Sequence, residues 1–128
     1  MKKIRIGIVG GAGYTGGELL RLLIHHPQSD IVYIHSRSNA GKPITAVHAD
    51  LIGETNLVFT GDLLSDIDLL FLCIGHGEAS KFLDENNIDQ KVRVIDLSQD
   101  FRLAGNAEYN NRRFTYGLPE LNKESIKI

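Results

Sequence analysis

Cysteine is almost absent: Cys73 is the only one among 128 residues. A single thiol excludes a disulfide framework within the chain and any zinc motif built from cysteine pairs. An excess of one charge is missing too. With 14 Lys and Arg against 16 Asp and Glu, the net charge is −2. No basic field is available for nucleic acid, and an anionic ligand would have to be held by local groups. Long hydrophobic runs are lacking, because Asp66 and Asp68 break the longest candidate before it approaches membrane-spanning length. Met1, Lys2 and Lys3 make a basic start, but Arg5 and the glycines after it do not form a signal-peptide core. The expectation is a cytoplasmic protein with neither nucleic acid nor membrane as partner. No internal repeat or low-complexity tract is found. What remains, 42% hydrophobic and 23% charged, is the composition of one globular domain with a sizeable core.

What is present is concentrated near the start. Ile4–Val9 reads as a strand that is apolar on both faces and therefore central in a parallel sheet. A cluster of glycines follows, and then a leucine-rich helix over 15–26. Leu19, Leu22, Leu23 and His26 recur there at helical spacing, and Pro27 marks the exit. Strand, glycine turn and helix, in that order, are what the first unit of a dinucleotide-binding fold requires. Two registers fit: Gly11, Gly13 and Gly16 match G-x-G-x-x-G, while Gly10, Gly13 and Gly16 match the looser G-x-x-G-x-x-G. In either, the first glycine permits a tight turn and the second lets the backbone approach a pyrophosphate. The third lets the helix pack close to the sheet. Backbone N–H groups at Tyr14, Thr15 and Gly16, aided by the helix macrodipole, would then hold the phosphates. The alternative is a glycine-rich turn that binds nothing. Its place after a strand and before a helix favours the nucleotide.

The end of the second strand (30–35) bears on which nucleotide. An NAD-preferring site usually carries an acidic residue about 20 residues past the glycines, where it bonds the ribose 2′-hydroxyl. None stands between Ile31 and Val47; instead Ser36 and Ser38 flank Arg37, with Lys42 close behind. An arginine fork between two hydroxyls suits a 2′-phosphate, so the expected cofactor is NADP. Further on, a short helix is expected over 44–52, a brief strand over 57–59 and a buried strand over 67–74 that ends at Gly75, His76 and Gly77. A helix and a strand over 92–97 follow, leading to Ser98. Strands alternating with helices predict an α/β fold, a Rossmann-type doubly wound, mostly parallel sheet with helices on both faces. In such sheets ligands lie beyond the carboxyl ends of the strands, where the glycine turn, Ser36 to Ser38, Gly75 with His76, and Ser98 would converge.

Several of these segments also carry a family likeness. The run from Gly10 to Leu23, the Ser36, Arg37, Ser38 group with Ala40, Gly41 and Lys42, and the Gly75, His76, Gly77 turn occur in one order. Asp96, Leu97, Ser98, Asp100, Phe101, Arg102 and Leu103, and then Tyr116, Gly117, Leu118, Pro119, Glu120, Leu121 and Asn122, complete it. In that order the chain resembles the N-acetyl-γ-glutamyl-phosphate reductases of arginine biosynthesis. It departs from the family at Gly75, where proline is common, and at Gly11 and Ala12, where alanine and a small polar residue are more usual.

The resemblance implies an NADPH-dependent oxidoreductase. A cysteine thiolate would attack N-acetyl-γ-glutamyl phosphate, releasing phosphate and leaving a thioester. Hydride from NADPH would then give N-acetylglutamate semialdehyde, with a histidine as acid/base. It also implies homo-oligomers, with a second domain supplying catalysis and much of the subunit contact. The family's nucleophile lies beyond the segment that ends at Asn122, so residues 1–128 are expected to be the dinucleotide-binding part alone. That part would be inactive by itself, with no catalytic residue and monomeric as a fragment. Cys73 lies in an apolar strand and is expected to be an inert core or rim residue, and the resemblance sets His76 beside the nicotinamide end of the cofactor. Two other readings stay open: a related acyl-phosphate reductase of the aminoadipate or aspartate semialdehyde type, and a non-catalytic nucleotide-sensing domain.

Overall fold

A computed structural model of the chain describes residues 2–75 and 77–98, with the backbone of residues 108–109 and 112–113. β1 (Ile4–Val9) leads into α1 (Tyr14–Leu23), and β2 (Ser29–His35) follows. Two single turns of 3₁₀ helix come next, at Ile44–Ala46 and Ala49–Leu51, and then β3 (Leu69–Leu72), α2 (Glu78–Glu85) and β4 (Arg93–Asp96). β5 (Glu108–Tyr109) and β6 (Arg112–Arg113) pair antiparallel as a separate hairpin.

The four main strands form one parallel sheet in the order β2-β1-β3-β4. β1 lies inside it, as expected for a strand apolar on both faces. Side-chain alternation sends Ile6 and Ile8 to one face, where they meet Leu20 of α1, Ile34, Ile44, Leu51 and Phe59. Val9, Leu70 and Leu72 go to the other, against Ala79 and Leu83 of α2. The two faces thus carry separate apolar cores, each closed by a helix, which is the doubly wound arrangement expected. Among the described residues no helix is long and apolar enough to cross a membrane.

The strands expected over 67–74 and 92–97 are shorter than predicted, at Leu69–Leu72 and Arg93–Asp96, and three other expected elements are cut short, lost or divided. The helix expected to run to residue 26 stops at Leu23, because the Ser29 hydroxyl donates to the carbonyls of Leu23 and His26 and turns the chain. The strand expected over 57–59 forms no ladder, only isolated bridges of Val58 to Pro43 and Thr60 to His35. The helix expected over 44–52 is divided into the two 3₁₀ turns.

The parallel register sets the stage for a ligand. Val9 pairs with His35 on one side and with Leu72 on the other, and Leu72 pairs with Asp96. The last residues of all four strands therefore stand side by side along one edge of the sheet.

Candidate functional site

The glycine turn lies at the centre of that edge. Gly10 has φ +83°, a left-handed conformation that side chains rarely adopt, and an added Cβ would strike the Cys73 carbonyl. The N–H groups of Gly10 and Gly11 both donate to the carbonyl of His35, at 3.1 and 3.3 Å, tying the turn to the end of β2. At Gly16 an added Cβ would lie 2.6 Å from the Gly10 oxygen and 2.7 Å from the Gly11 Cα, so helix and turn touch through bare backbone. Gly13 is different. Its backbone is extended, with φ −81° and ψ 179°, and a Cβ there would meet nothing closer than the Gly10 oxygen at 3.9 Å. Packing within the protein accounts for glycine at 10 and 16 but not at 13, where the space is open and exposed. Of the two registers, Gly10, Gly13 and Gly16 match tight turn, close approach and close packing in order.

α1 begins at this opening without a side-chain cap. The first N–H of the helix to find an acceptor is that of Gly17, 2.9 Å from the Gly13 carbonyl. Those of Tyr14, Thr15 and Gly16 have no acceptor among the described residues. Three orphan donors and the positive end of the macrodipole therefore surround an open space that no side chain of the described residues fills. The Tyr14 ring, 95% exposed, does not plug it.

The corner after β2 is held by backbone and amide contacts. The Ser36 N–H donates to the Thr60 carbonyl at 3.0 Å, and the Asn39 amide donates to the hydroxyls of Ser36 and Ser38 at 3.2 and 3.3 Å. Ser36 is buried and so helps to build the corner, whereas Arg37 and Ser38 are exposed. The Arg37 guanidinium makes no hydrogen bond or ion pair among the described residues. Burial first, and then the Arg37 charge, lowers the pKa of the neighbouring His35 below its usual value. A fork of donors with no partner among the described residues, on the same sheet edge as the orphan helix amides, suits an anion that carries a diphosphate and a separate phosphate.

The remaining expected site residues divide. Gly75 is exposed, and its N–H donates to a Glu78 carboxylate oxygen at 3.0 Å, which closes the turn into α2. Ser98 reaches the same edge but is only 2% exposed, with its hydroxyl given to Asp96 at 2.7 Å. His76 lies outside the described residues, as do the segments 99–107 and 114–128 that carried part of the family likeness. Cys73 follows β3 and packs into the α1-side core; burial, with Asp96 adding to it, pushes its thiol up to about 12. Such a thiol is protonated and unreactive at neutral pH. Among the described residues, the histidine whose side chain engages the glycine turn is one that sequence reasoning passed over. His48 is buried in the loop between the 3₁₀ turns, with Nε2 2.7 Å from the Gly11 carbonyl. The helical pattern expected over 44–52 rests on apolar residues and does not single out His48.

Comparison with known proteins adds a second line. The model of the semialdehyde dehydrogenase, NAD binding domain family matches residues 5–128. The N-acetyl-gamma-glutamyl-phosphate reductase of Phocaeicola vulgatus is 53% identical over 124 residues, 96% of this chain and 37% of its own length. The protein of the same name from Christiangramia forsetii is 47% identical over 124 residues, 97% of this chain and 37% of its own. The chain thus spans little more than a third of these curated relatives. Among solved structures, aspartate semialdehyde dehydrogenase with NADP from Candida albicans aligns with a TM-score of 0.63. The match covers 80% of this chain and 32% of that one at 16% identity, and it shows a shared fold.

Proposed function

Because the chain belongs to the semialdehyde dehydrogenase NAD-binding domain family, we propose that residues 1–128 form one domain that binds NADP(H) for an N-acetyl-γ-glutamyl-phosphate reductase. The observation that carries this is the opening at Gly13, a glycine that packing among the described residues does not require, ringed by N–H groups of Tyr14, Thr15 and Gly16 that have no acceptor among those residues. A diphosphate meets both features: it needs close approach to the backbone, and it accepts from those donors. Arg37 and Ser38, on the corner built by Ser36, take the 2′-phosphate. Gly10 and Gly16 keep the turn tight, and Gly75, with His76 beside it, borders the nicotinamide end. Ser98, turned onto Asp96, supports that edge from within.

NADPH, when bound, supplies hydride. This chain binds and orients it but does not activate the acyl phosphate, because its one thiol, Cys73, is half-buried in the α1-side core and its pKa is pushed up by that burial. We assign attack on N-acetyl-γ-glutamyl phosphate to the part of the relatives' length that this chain does not span. Homo-oligomeric assembly in the whole protein and a cytoplasmic location belong to the same proposal.

Titration of the chain with NADPH, followed by nicotinamide fluorescence, tests the reading. Saturable binding is expected, tighter for NADPH than for NADH. Arg37→Ala removes a charged hydrogen-bonding group worth roughly 1.5–3 kcal/mol, so NADPH affinity should fall about ten- to hundredfold while NADH changes little. A flat titration at high protein concentration overturns the proposal. Equal losses for both cofactors overturn the role given to Arg37.

A further inference from the structure

His48 makes three separate contacts: one to the glycine turn, one to α1 and one to Phe59. Its Nε2 lies 2.7 Å from the Gly11 carbonyl, which can only accept, so Nε2 carries the proton. Its ring fills the place where Gly17 of α1 has no side chain: a Cβ there would come within 2.7 Å of Cε1 and 2.8 Å of Nδ1. Its other side packs near Phe59, with ring centroids 6.4 Å apart.

The loop that carries it is anchored from both sides. Ile44 and Leu51 are sunk in the α1-side core, and the His48 N–H donates to the Ile44 carbonyl at 2.8 Å. From outside, Arg21 of α1 grips both oxygens of Asp50, at 2.6 and 2.9 Å.

A trans peptide is planar, with its C=O and N–H pointing in opposite directions. Pinning the Gly11 carbonyl onto His48 therefore turns the Ala12 N–H away from the loop. That N–H, like those of Tyr14, Thr15 and Gly16, has no acceptor among the described residues. We infer that His48 is a positioning residue for the dinucleotide. It fixes the Gly11–Ala12 peptide so that the Ala12 amide joins the helix amides as a donor to the diphosphate, and Gly17 is glycine to admit the imidazole. The inference rests on the NADP(H) reading and extends it to a residue on a different loop.

Two ligands separate positioning from a general structural role. NADPH uses the diphosphate cradle, whereas adenosine 2′-monophosphate reaches the Arg37 corner and has no diphosphate. In the intact chain, His48→Leu fills the same volume without a donor. It should weaken NADPH about tenfold and leave adenosine 2′-monophosphate unchanged. His48→Gln, which can place an N–H near the Nε2 position, should recover most of the loss. Gly17→Ala leaves His48 in the sequence but displaces its ring, and should reproduce the selective loss even where His48→Leu fails to fold. NADPH affinity equal to wild type in the folded His48→Leu or Gly17→Ala variant overturns the inference and leaves the cofactor proposal standing. Parallel loss of both ligands also overturns it, as that marks a general loosening of the domain. A wild-type chain that binds neither ligand refutes the cofactor proposal itself, and this inference falls with it.

Discussion

Gly13→Asp should make the protein more stable and unable to bind its cofactor. Residue 13 is the N-cap of α1, in the extended conformation that N-caps adopt, and a Cβ there meets nothing within 3.9 Å. An aspartate can therefore enter without strain, and its carboxylate can accept from the N–H groups of Thr15 or Gly16, which have no acceptor now. Asp in place of Gly at an N-cap gains a few tenths of a kcal/mol. A negative charge at the positive end of the helix adds about 0.3–1 kcal/mol. Replacing a glycine whose backbone any residue can adopt adds roughly 0.4–1 kcal/mol through the unfolded chain. Together these predict about 1–2 kcal/mol of stabilisation, a rise in melting temperature of roughly 3–8 °C for a domain of this size. The same carboxylate occupies donors meant for the diphosphate and repels its charge. Loss of two charge-assisted hydrogen bonds alone lowers affinity more than about a hundredfold. Thermal melts by circular dichroism and NADPH fluorescence titration read the two effects separately. A lowered melting temperature would mean that the helix amides are not free, and unchanged NADPH affinity would mean that the diphosphate lies elsewhere.

Gly16→Ala should act in the opposite way on stability: its methyl would meet backbone atoms at 2.6 and 2.7 Å, and overpacking of this kind costs about 1–3 kcal/mol. An unaltered denaturant midpoint would show that helix and turn are not in backbone contact. Tyr33→Phe should stabilise the chain by about 1 kcal/mol, because the Tyr33 hydroxyl is buried without a partner among the described residues and burial pushes it up to about 12. Destabilisation in urea would reveal an acceptor for it. His35, lowered from 6.5 by burial and then by Arg37, binds a proton more weakly folded than unfolded. Its contribution is therefore intact above pH 6.5 and declines as pH falls through that value and on to the lowered folded pKa. His35→Gln should flatten stability against pH in this window, and an identical slope in the variant would refute the assignment.

What could be read from the sequence, and what could not, follows the range of the forces involved. β1, the glycine turn and the start of α1 are written in consecutive residues: an apolar run, glycines at turn spacing, then leucines at helical spacing. The absence of an acidic residue after β2 was equally legible, being a matter of identity at a known distance. The shortened elements fail for a different reason. α1 ends early because a serine hydroxyl from β2 competes for its last carbonyls, and the chain from 57 to 60 bridges Pro43 and His35 without a partner strand long enough for a ladder. Both outcomes depend on residues that local periodicity does not weigh.

The loop from Ile44 to Leu51 is the instructive case. Its apolar residues fit a helix, and by propensity alone one turn should have continued into the next. Continuous helix would satisfy the loop's own backbone, yet the buried imidazole of His48 reaches the carbonyl of Gly11, 37 positions away in sequence, from the junction between two 3₁₀ turns. The fold has given up local hydrogen bonds at one point to hold a distant peptide in a chosen direction. The presence of glycine at 17, inside a helix where it costs about 1 kcal/mol relative to alanine, fits the same exchange: alanine would stabilise the isolated helix and evict the ring. Two departures from local preference, on separate elements, meet at one imidazole bonded to the glycine turn. Where a chain sets aside propensity twice for the same contact, that contact is the place to look for function.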